Sequence, residues 1–316
     1  MSQLRSEDDL GHDLSGSRKG RESLFWLMPL RDENLMLLVY VWLYADGSAG
    51  RFVIIGENDP KAAPVYDVQD GLTFVGDDLD KCSIGGLEIR LPELLRASEL
   101  SYDTEEAGFD LRFEAIHPPF SYHDNPDGCP SWLADDRFEQ SLTVTGRLRV
   151  GDRNIDIDTT AHRDHSWGTR DWALMQQWQW INVQDGVGTT VNAYTNVVLG
   201  ERTVNGYLYR DGQVRPLVEV STAPDLGPDY HQNGLHAEFT DADGRTAVLD
   251  ATRNSAVRLD FGNSPLLINE IGCHGTLDGR PVPVLYEIGW DGTYIRRLMK
   301  RAAGAGATSG RAGEPT

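Results

Sequence analysis

Residues 141–172 read SLTVTGRLRVGDRNIDIDTTAHRDHSWGTRDW, and this stretch decides the fold. Apolar and polar side chains alternate from residue 141 to 150 and again from 155 to 163, with Gly151–Asn154 between the two runs. A period of two is typical of a half-buried strand, and a short polar segment between two such runs predicts an antiparallel hairpin. This hairpin ends in the decapeptide RDHSWGTRDW, residues 163–172, which concentrates charged and aromatic side chains.

Similar strand-like runs occupy most of the remaining chain. Asp185-Gly186, Asp211-Gly212, Asp243-Gly244 and Asp278-Gly279 each join two such runs, and Asp-Gly is a strong hairpin signal. Short strands at regular spacing predict an all-β, antiparallel protein built of barrels or sandwiches. A single amphipathic helix is predicted from Thr293 to Ala302.

A chain of 316 residues suits two domains, because single hydrophobic cores of ordinary size are smaller than this. The first residues are polar and charged, which predicts a flexible arm, and the last residues are rich in glycine, which predicts a disordered tail. We therefore expect a flexible arm at 1–22, an N-terminal β-domain at 23–172, a C-terminal β-domain at 173–302 and a disordered tail at 303–316.

Composition and charge narrow the class of protein. A net charge of −20 would repel phosphates, so no nucleic-acid partner is expected. Three widely spaced cysteines predict a reducing compartment, without a disulfide framework. The longest apolar run, Leu35–Tyr44, is too short to span a membrane, and the first residues lack the apolar segment of a secretory signal. We expect a cytoplasmic protein without a membrane span; the sequence does not predict its oligomeric state.

The decapeptide 163–172 has the parts of an acid catalyst. Tryptophan shields a neighbouring carboxyl group from water, which favours the neutral form and lets the group donate a proton. Asp164 is the candidate acid, with His165 as a relay and Arg170 as the residue that orients the network. Aromatic faces would stabilise a developing cation. These parts suit protonation of an electron-rich alkene, followed by attack of water or loss of a proton.

Three other interpretations of the decapeptide stay open. A metal site usually needs three or four well-placed ligands, so His162, Asp164 and His165 alone do not predict one, and neither a metal nor a cofactor is expected. Ser166 follows His165, but neighbours on a strand point to opposite faces, which disfavours a nucleophile–base pair. Finally, Arg170 paired with a nearby aspartate, Asp164 or Asp171, could form a buried ionic network that only joins two domains.

Polar and aromatic residues on other strands are candidates for a ligand site. The predicted strand Leu266–Leu277 carries Glu270 and His274 on either side of Gly272, which would leave room for a ligand. The predicted substrate-binding residues are Trp167, Trp172, Trp178, Trp180, Asn192, Tyr194, Glu270 and His274. Tyr194 and Glu270 are in addition candidates for positioning water.

The decapeptide RDHSWGTRDW, together with FEAIHPP (113–119), RFEQS (137–141) and VTGRLRVGDRNIDID (144–158), resembles a known superfamily. This is the hydroxyneurosporene synthase (carotenoid 1,2-hydratase) and AttH-like superfamily, in particular its bacterial two-domain members of unknown function. The similarity runs from about Leu24 to Trp290. The motif positions carried over are Asp164, His165, Trp167, Gly168, Arg170 and Trp172.

The resemblance implies two tandem lipocalin-like (calycin) β-barrels, with ligands held in barrel cavities or between the domains. Members of the superfamily include hydratases of isoprenoid double bonds, kievitone-hydratase-like enzymes and fungal proteins that fold polyenes for ring closure. We therefore predict a cofactor-independent enzyme that hydrates an isoprenoid C=C, or performs the reverse dehydration, on a terpenoid, steroid-like or polyketide molecule. The alternatives are an isomerase or cyclase that shapes a polyene, and a protein that only binds a hydrophobic ligand.

Overall fold

A computed structural model of the protein describes residues 4–16, 19–58, 64–260 and 265–309, with side chains up to residue 302. Nineteen strands fall within these residues and form two separate sheets. The strands of the first sheet are β1 (Gly20–Leu30), β2 (Leu35–Tyr44), β3 (Ser48–Gly56), β4 (Val65–Asp78), β5 (Lys81–Ile84), β6 (Leu87–Glu93), β7 (Ala97–Asp103), β8 (Ala107–Ala115), β9 (Phe120–Ser121), β10 (Asp136–Val150) and β11 (Arg153–Thr169). The second sheet contains β12 (Met175–Asp185), β13 (Thr189–Val198), β14 (Glu201–Arg210), β15 (Gln213–Leu226), β16 (Gln232–Asp241), β17 (Thr246–Leu259), β18 (Leu266–Leu277) and β19 (Arg280–Asp291).

The first sheet is an antiparallel barrel in which β1 to β8 pair in chain order. The hairpin β10–β11 closes it, because β10 pairs with β8 and β11 pairs with β1. The predicted hairpin is confirmed: Leu148 lies opposite Ile155, and the pairing continues back to Asp136 opposite Trp167. The two-residue strand β9 adds to β10 beside the barrel wall.

The second sheet is a closed barrel of eight strands, β12 to β19, in chain order. Pairing of β12 with β19 closes it. Each of the four Asp-Gly dipeptides lies at a hairpin turn, as predicted. A helix, Gly292–Ser309, follows the last strand. The all-β prediction of two lipocalin-like barrels in tandem with a C-terminal helix is confirmed.

The two barrels have filled interiors and share a third apolar cluster between them. The interior of the first barrel packs residues such as Trp26, Val53 and Phe113, and that of the second packs residues such as Val191, Phe239 and Ile271. The third cluster joins outward-facing side chains of both barrels. Space for a ligand is therefore found between the barrels. The shared cluster packs the two sheets against each other. The division into domains at residue 172 stays a prediction.

The structure describes part of each end of the chain that was predicted to be flexible. The chain before β1 forms a short 3-10 helix, Ser6–Asp9, and the Asp9 side chain is fully buried against Arg163, so this part of 1–22 is packed. The C-terminal helix reaches Ser309, whereas the tail was predicted from residue 303; residues 310–316 lie outside the described residues. Within the described chain, no helix combines the length and the apolar character that crossing a membrane requires.

Candidate functional site

A cavity of about 520 Å³ lies between the two barrels. Its first-barrel wall is aromatic and comes from the outer faces of β1, β2 and β3, through Phe25, Tyr40, Trp42 and Phe52. The opposite wall contains Trp172, Trp178, Trp180 and Tyr194, all of which the sequence predicted. Trp180 and Tyr194 are paired across β12 and β13, which places their rings on the same face. The cavity can therefore enclose an apolar molecule between two aromatic walls.

Asp164 is the carboxyl group that the decapeptide contributes to this cavity. It lies on β11 and is almost fully buried. Its Oδ2 accepts a hydrogen bond of 2.9 Å from Arg137 Nη2, whereas its Oδ1 has no partner among the described residues. Burial raises the pKa of Asp164 to about 7, because the charges of Arg137 and Arg170 only partly offset the cost of burying a carboxylate.

Glu139 explains why the proton resides on Asp164. The two carboxyl groups lie on adjacent strands, directly opposite each other, and both contact Arg137. Glu139 accepts hydrogen bonds from the Tyr122 hydroxyl (2.7 Å), Arg137 Nε (2.7 Å) and His162 Nε2 (2.6 Å). Burial alone would raise the pKa of Glu139, but these donors and the Arg137 charge lower it. Of this pair, Glu139 has the lowered pKa and Asp164 the raised one.

A second pair of carboxyl groups, Glu270 and Glu287, faces the cavity from the other barrel. The two residues lie opposite each other on β18 and β19. Glu287 accepts a hydrogen bond from Trp178 Nε1, whereas no donor among the described residues reaches either Glu270 oxygen. Burial and the neighbouring Glu287 charge raise the pKa of Glu270 well above its ordinary value. Glu270 therefore keeps its proton beside the Glu287 side chain, and the pair carries one negative charge.

Arg170 reaches the cavity but makes no ion pair within the described chain. Its guanidinium donates to Ser23 Oγ at 2.8 Å and to the hydroxyl and carbonyl oxygens of Ser166. The alternative that Arg170 pairs with Asp164 or Asp171 is therefore wrong, since neither carboxylate is within bonding distance of it. Asp164 is held by Arg137 instead, from the strand beside it.

His165 points away from the cavity. Neighbouring residues on a strand face opposite sides, so His165 lies inside the mouth of the first barrel, while Asp164 faces the second barrel. Its Nε2 bonds to Glu22 Oε1 at 2.8 Å, and its Nδ1 lies 3.8 Å from Asp9 Oδ1. Burial would lower the pKa of His165, but these two carboxylates raise it. A proton relay from His165 to Asp164 is not supported by this placement.

His12, Glu22 and His165 are the described residues whose donor atoms could hold a metal ion. One nitrogen of each histidine and a Glu22 oxygen lie within 4.8 Å of one another. Glu22 Oε1 accepts from His12 Nδ1 at 2.7 Å, so the three side chains are joined by hydrogen bonds. The predicted substrate-binding residue Trp167 belongs to this group: its ring stacks on His12 at 3.7 Å, outside the cavity lining.

Two further predicted residues also lie outside the cavity lining. Asn192 is buried between the barrels, where its amide donates to Asn182 Oδ1 at 2.9 Å and to Glu139 Oε2 at 3.3 Å. His274 is exposed and contacts Asn34, at the far end of its strand. The backbone of the decapeptide requires glycine at position 168. Gly168 has φ of +103°, and a Cβ there would lie 2.3 Å from the carboxyl group of Asp135.

Sequence reasoning missed Arg137 and Glu139 although both stand in the motif RFEQS. When residues are counted back from the turn of the predicted hairpin, Glu139 falls opposite Asp164. The register of β10 and β11 is therefore the sequence signal that could have identified Glu139. Glu287 could be found in the same way from the Asp278-Gly279 turn, which pairs it with Glu270. No local signal identified Arg21 or Tyr40, because their place in the cavity depends on how the barrels pack.

Solved structures with similar folds were found at low sequence identity. The AttH candidate NE1406 from Nitrosomonas europaea has a TM-score of 0.59 at 15% identity and covers 86% of this chain and 92% of its own. CghA has a TM-score of 0.57 at 14% identity, covering 86% and 87%. Kievitone hydratase from Nectria haematococca has a TM-score of 0.56 at 12% identity, covering 89% and 92%. At these identities, the likenesses show that this chain shares the fold of the three proteins.

No curated protein sequence matches the chain. One family model does, over residues 5–291, and it includes both barrels. The protein therefore belongs to the family described as Domain of unknown function (DUF7064).

Proposed function

We propose that the protein adds water to a carbon–carbon double bond of a hydrophobic molecule, by protonating the alkene without a cofactor. The observation that carries this proposal is Asp164, a buried carboxyl group in the wall of an aromatic cavity. Its pKa is raised to about 7, and one of its oxygens has no hydrogen-bond partner in the described part of the chain. A general acid works best when its pKa lies near the operating pH. Terpenoid, steroid-like or polyketide alkenes fit the apolar lining.

Protonation would create a cation that the cavity can accommodate. Asp164 gives its proton to one alkene carbon, and the positive charge develops on the other. Arg137 stays bonded to the Asp164 carboxylate that forms. The faces of Trp180 and Tyr194 stabilise the cation, as aromatic quadrupoles do. Both rings already face a cation, since the Arg137 guanidinium carbon lies 5.4 Å from the Trp180 centroid and 6.0 Å from that of Tyr194.

Water must then attack the cation and lose a proton. The Glu270–Glu287 pair carries one negative charge and is the available base on the opposite barrel, so it takes this proton. The alkene gains H from Asp164 and OH from water, and both acids return to their starting states by exchange with solvent. The reverse sequence eliminates water. Kievitone hydratase, which shares the fold, is a hydratase by name, and this agrees with the proposal.

A second candidate is an isomerase or cyclase that holds a polyene in a reactive shape without an acid. The two facing aromatic walls favour it, since they would bend and confine a long conjugated chain. A third possibility is a carrier that binds its ligand unchanged. Only the hydratase requires Asp164 to transfer a proton.

The test is turnover in H₂¹⁸O with a panel of acyclic terpenoids, supplied as alcohols and as acids. The native protein is expected to incorporate ¹⁸O, and Asp164→Asn should lower the rate at least about 100-fold, the usual contribution of a general acid. Asp156→Asn, a fully exposed aspartate on the same strand, is the matched control and should leave the rate unchanged. Hydration that survives in Asp164→Asn overturns the acid assignment. Rearranged product without ¹⁸O points to the isomerase, and unchanged ligand to the carrier.

A further inference from the structure

Two arginine side chains line the cavity without a carboxylate partner. Arg170 is buried and donates only to neutral oxygens of Ser23 and Ser166. Its Nε has no acceptor among the described residues. Burial and the charges of Arg21 and Arg137 lower the pKa of Arg170, and the nearby Tyr40 and Asp164 offset this only in part. Its guanidinium is a buried positive charge to which no carboxylate of the described residues is bonded.

Arg21 is the second unpaired arginine. Its guanidinium carbon lies 5.3 Å from the Tyr40 ring centroid and 5.1 Å from that of Trp42. No carboxylate in the described part of the chain forms an ion pair with it, and its buried Nε lacks an acceptor. Tyr40 connects the two arginines: burial would raise its pKa, but the charges of Arg21 and Arg170 outweigh burial and lower it.

None of the described carboxyl groups that line the cavity forms an ion pair with Arg21 or Arg170. Asp70 accepts hydrogen bonds from Trp42 Nε1 at 3.1 Å and from the Gly71 amide at 2.9 Å. Asp164 is bonded to Arg137, and the Glu270–Glu287 pair is fixed on the other barrel. An unpaired buried charge is strongly destabilising, and a charge-assisted, two-pronged hydrogen bond to an oxyanion relieves that cost. Beside Arg21 and Arg170, the described residues supply no bonded carboxylate.

We infer that the ligand of this cavity is a hydrophobic acid whose carboxylate or enolate oxygen binds between Arg21 and Arg170. The aromatic walls hold its apolar body. The negative charge of the Glu270–Glu287 pair repels the acid from the opposite end, so the ligand enters in one orientation. This inference rests on the proposed function in taking the cavity as the ligand site, but it does not require hydration.

The test compares two probes with the same body, all-trans-retinoic acid and all-trans-retinol. Binding is followed by quenching of tryptophan fluorescence, since Trp42, Trp178 and Trp180 line the cavity. Retinoic acid should bind at least about tenfold more tightly than retinol, corresponding to about 1.4 kcal/mol. Arg21→Gln should abolish this preference by weakening the acid alone, and Arg21→Lys should retain part of it. Arg147→Gln, a highly exposed arginine, is the matched control and should behave as the native protein.

Arg21 is the better site for substitution, because Arg170 also holds Ser23 and Ser166 and its loss could unfold the protein. Retinoic acid should in addition raise the Tm of the native protein more than that of Arg21→Gln. Equal affinity for both probes, preference for retinol, or no binding of retinoic acid overturns the inference. Tight binding of the acid without ¹⁸O incorporation would refute hydration and leave the anion site in place. Hydration of neutral terpenoids without a preference for acids would refute the anion site and leave the proposed hydration in place.

Discussion

Asp164→Asn should change how the stability of the protein depends on pH. Asp164 has an ordinary pKa of 3.8 in the unfolded chain and a pKa raised to about 7 in the folded protein. Between these values the folded state binds a proton that the unfolded state has released, so stability falls as the pH rises. The stability that the proton on Asp164 gives to the folded protein is lost completely once the pH has passed the pKa of Asp164 in the folded state. Asparagine has the same shape and does not titrate, so the variant lacks this dependence.

The size of the effect follows from the proton linkage. Over each pH unit in this window, one proton bound only by the folded state lowers the free energy of unfolding by about 1.4 kcal/mol as the pH rises. From pH 5 to pH 8 the native protein should therefore lose about 3 kcal/mol relative to Asp164→Asn. Other titrating groups, such as Glu22 and His165, are present in both proteins and cancel in the comparison.

Equilibrium unfolding in urea, followed by tryptophan fluorescence at pH 5 and pH 8, measures this difference. Asp156→Asn, whose carboxyl group is exposed, should follow the native protein at both pH values. If the native protein and Asp164→Asn differ by the same free energy at pH 5 and pH 8, then Asp164 is ionised in the folded state throughout. That result would refute both its raised pKa and its role as a proton donor.

Further predictions concern the packing around the site. Gly168→Ala should lower the free energy of unfolding by at least about 2 kcal/mol, since φ is positive and the new Cβ would meet Asp135; a Tm equal to that of the native protein would contradict this. Asp9→Asn should cost about 3 to 5 kcal/mol in urea unfolding, because it leaves Arg163 buried without its carboxylate partner, and a change below 1 kcal/mol would show that the N-terminal segment does not pack as described. Glu270→Gln should raise the Tm at pH 8, because the raised pKa of Glu270 makes the folded protein hold a proton that the unfolded chain has released at that pH; a lower Tm at that pH would argue against the raised pKa.

Much of the local structure can be predicted because it depends on neighbours along the chain. The alternation of residues 142–163 determines which side chains of β10 and β11 share a face. The turns then set the register, and the register pairs Glu139 with Asp164, Trp180 with Tyr194 and Glu270 with Glu287. Each pair bridges a single hairpin. The sequence alone therefore contains the parts of the site, although Glu139 and Glu287 were not recognised as members of it.

The assembly of these hairpins around one cavity is decided only by the tertiary structure. Alternation shows that Asp164 and His165 face opposite sides of β11, but not which side meets the second barrel. Arg170 donates a hydrogen bond to Ser23, which lies more than a hundred residues away along the chain. Arg163 and its partner Asp9 are separated by a similar distance in sequence. Burial and charge at Asp164, Glu270 and the unpaired arginines arise from this packing. Whether a carboxyl group is an acid or a carboxylate depends on its desolvation and its neighbours, and both are properties of the closed, packed barrels and not of any segment.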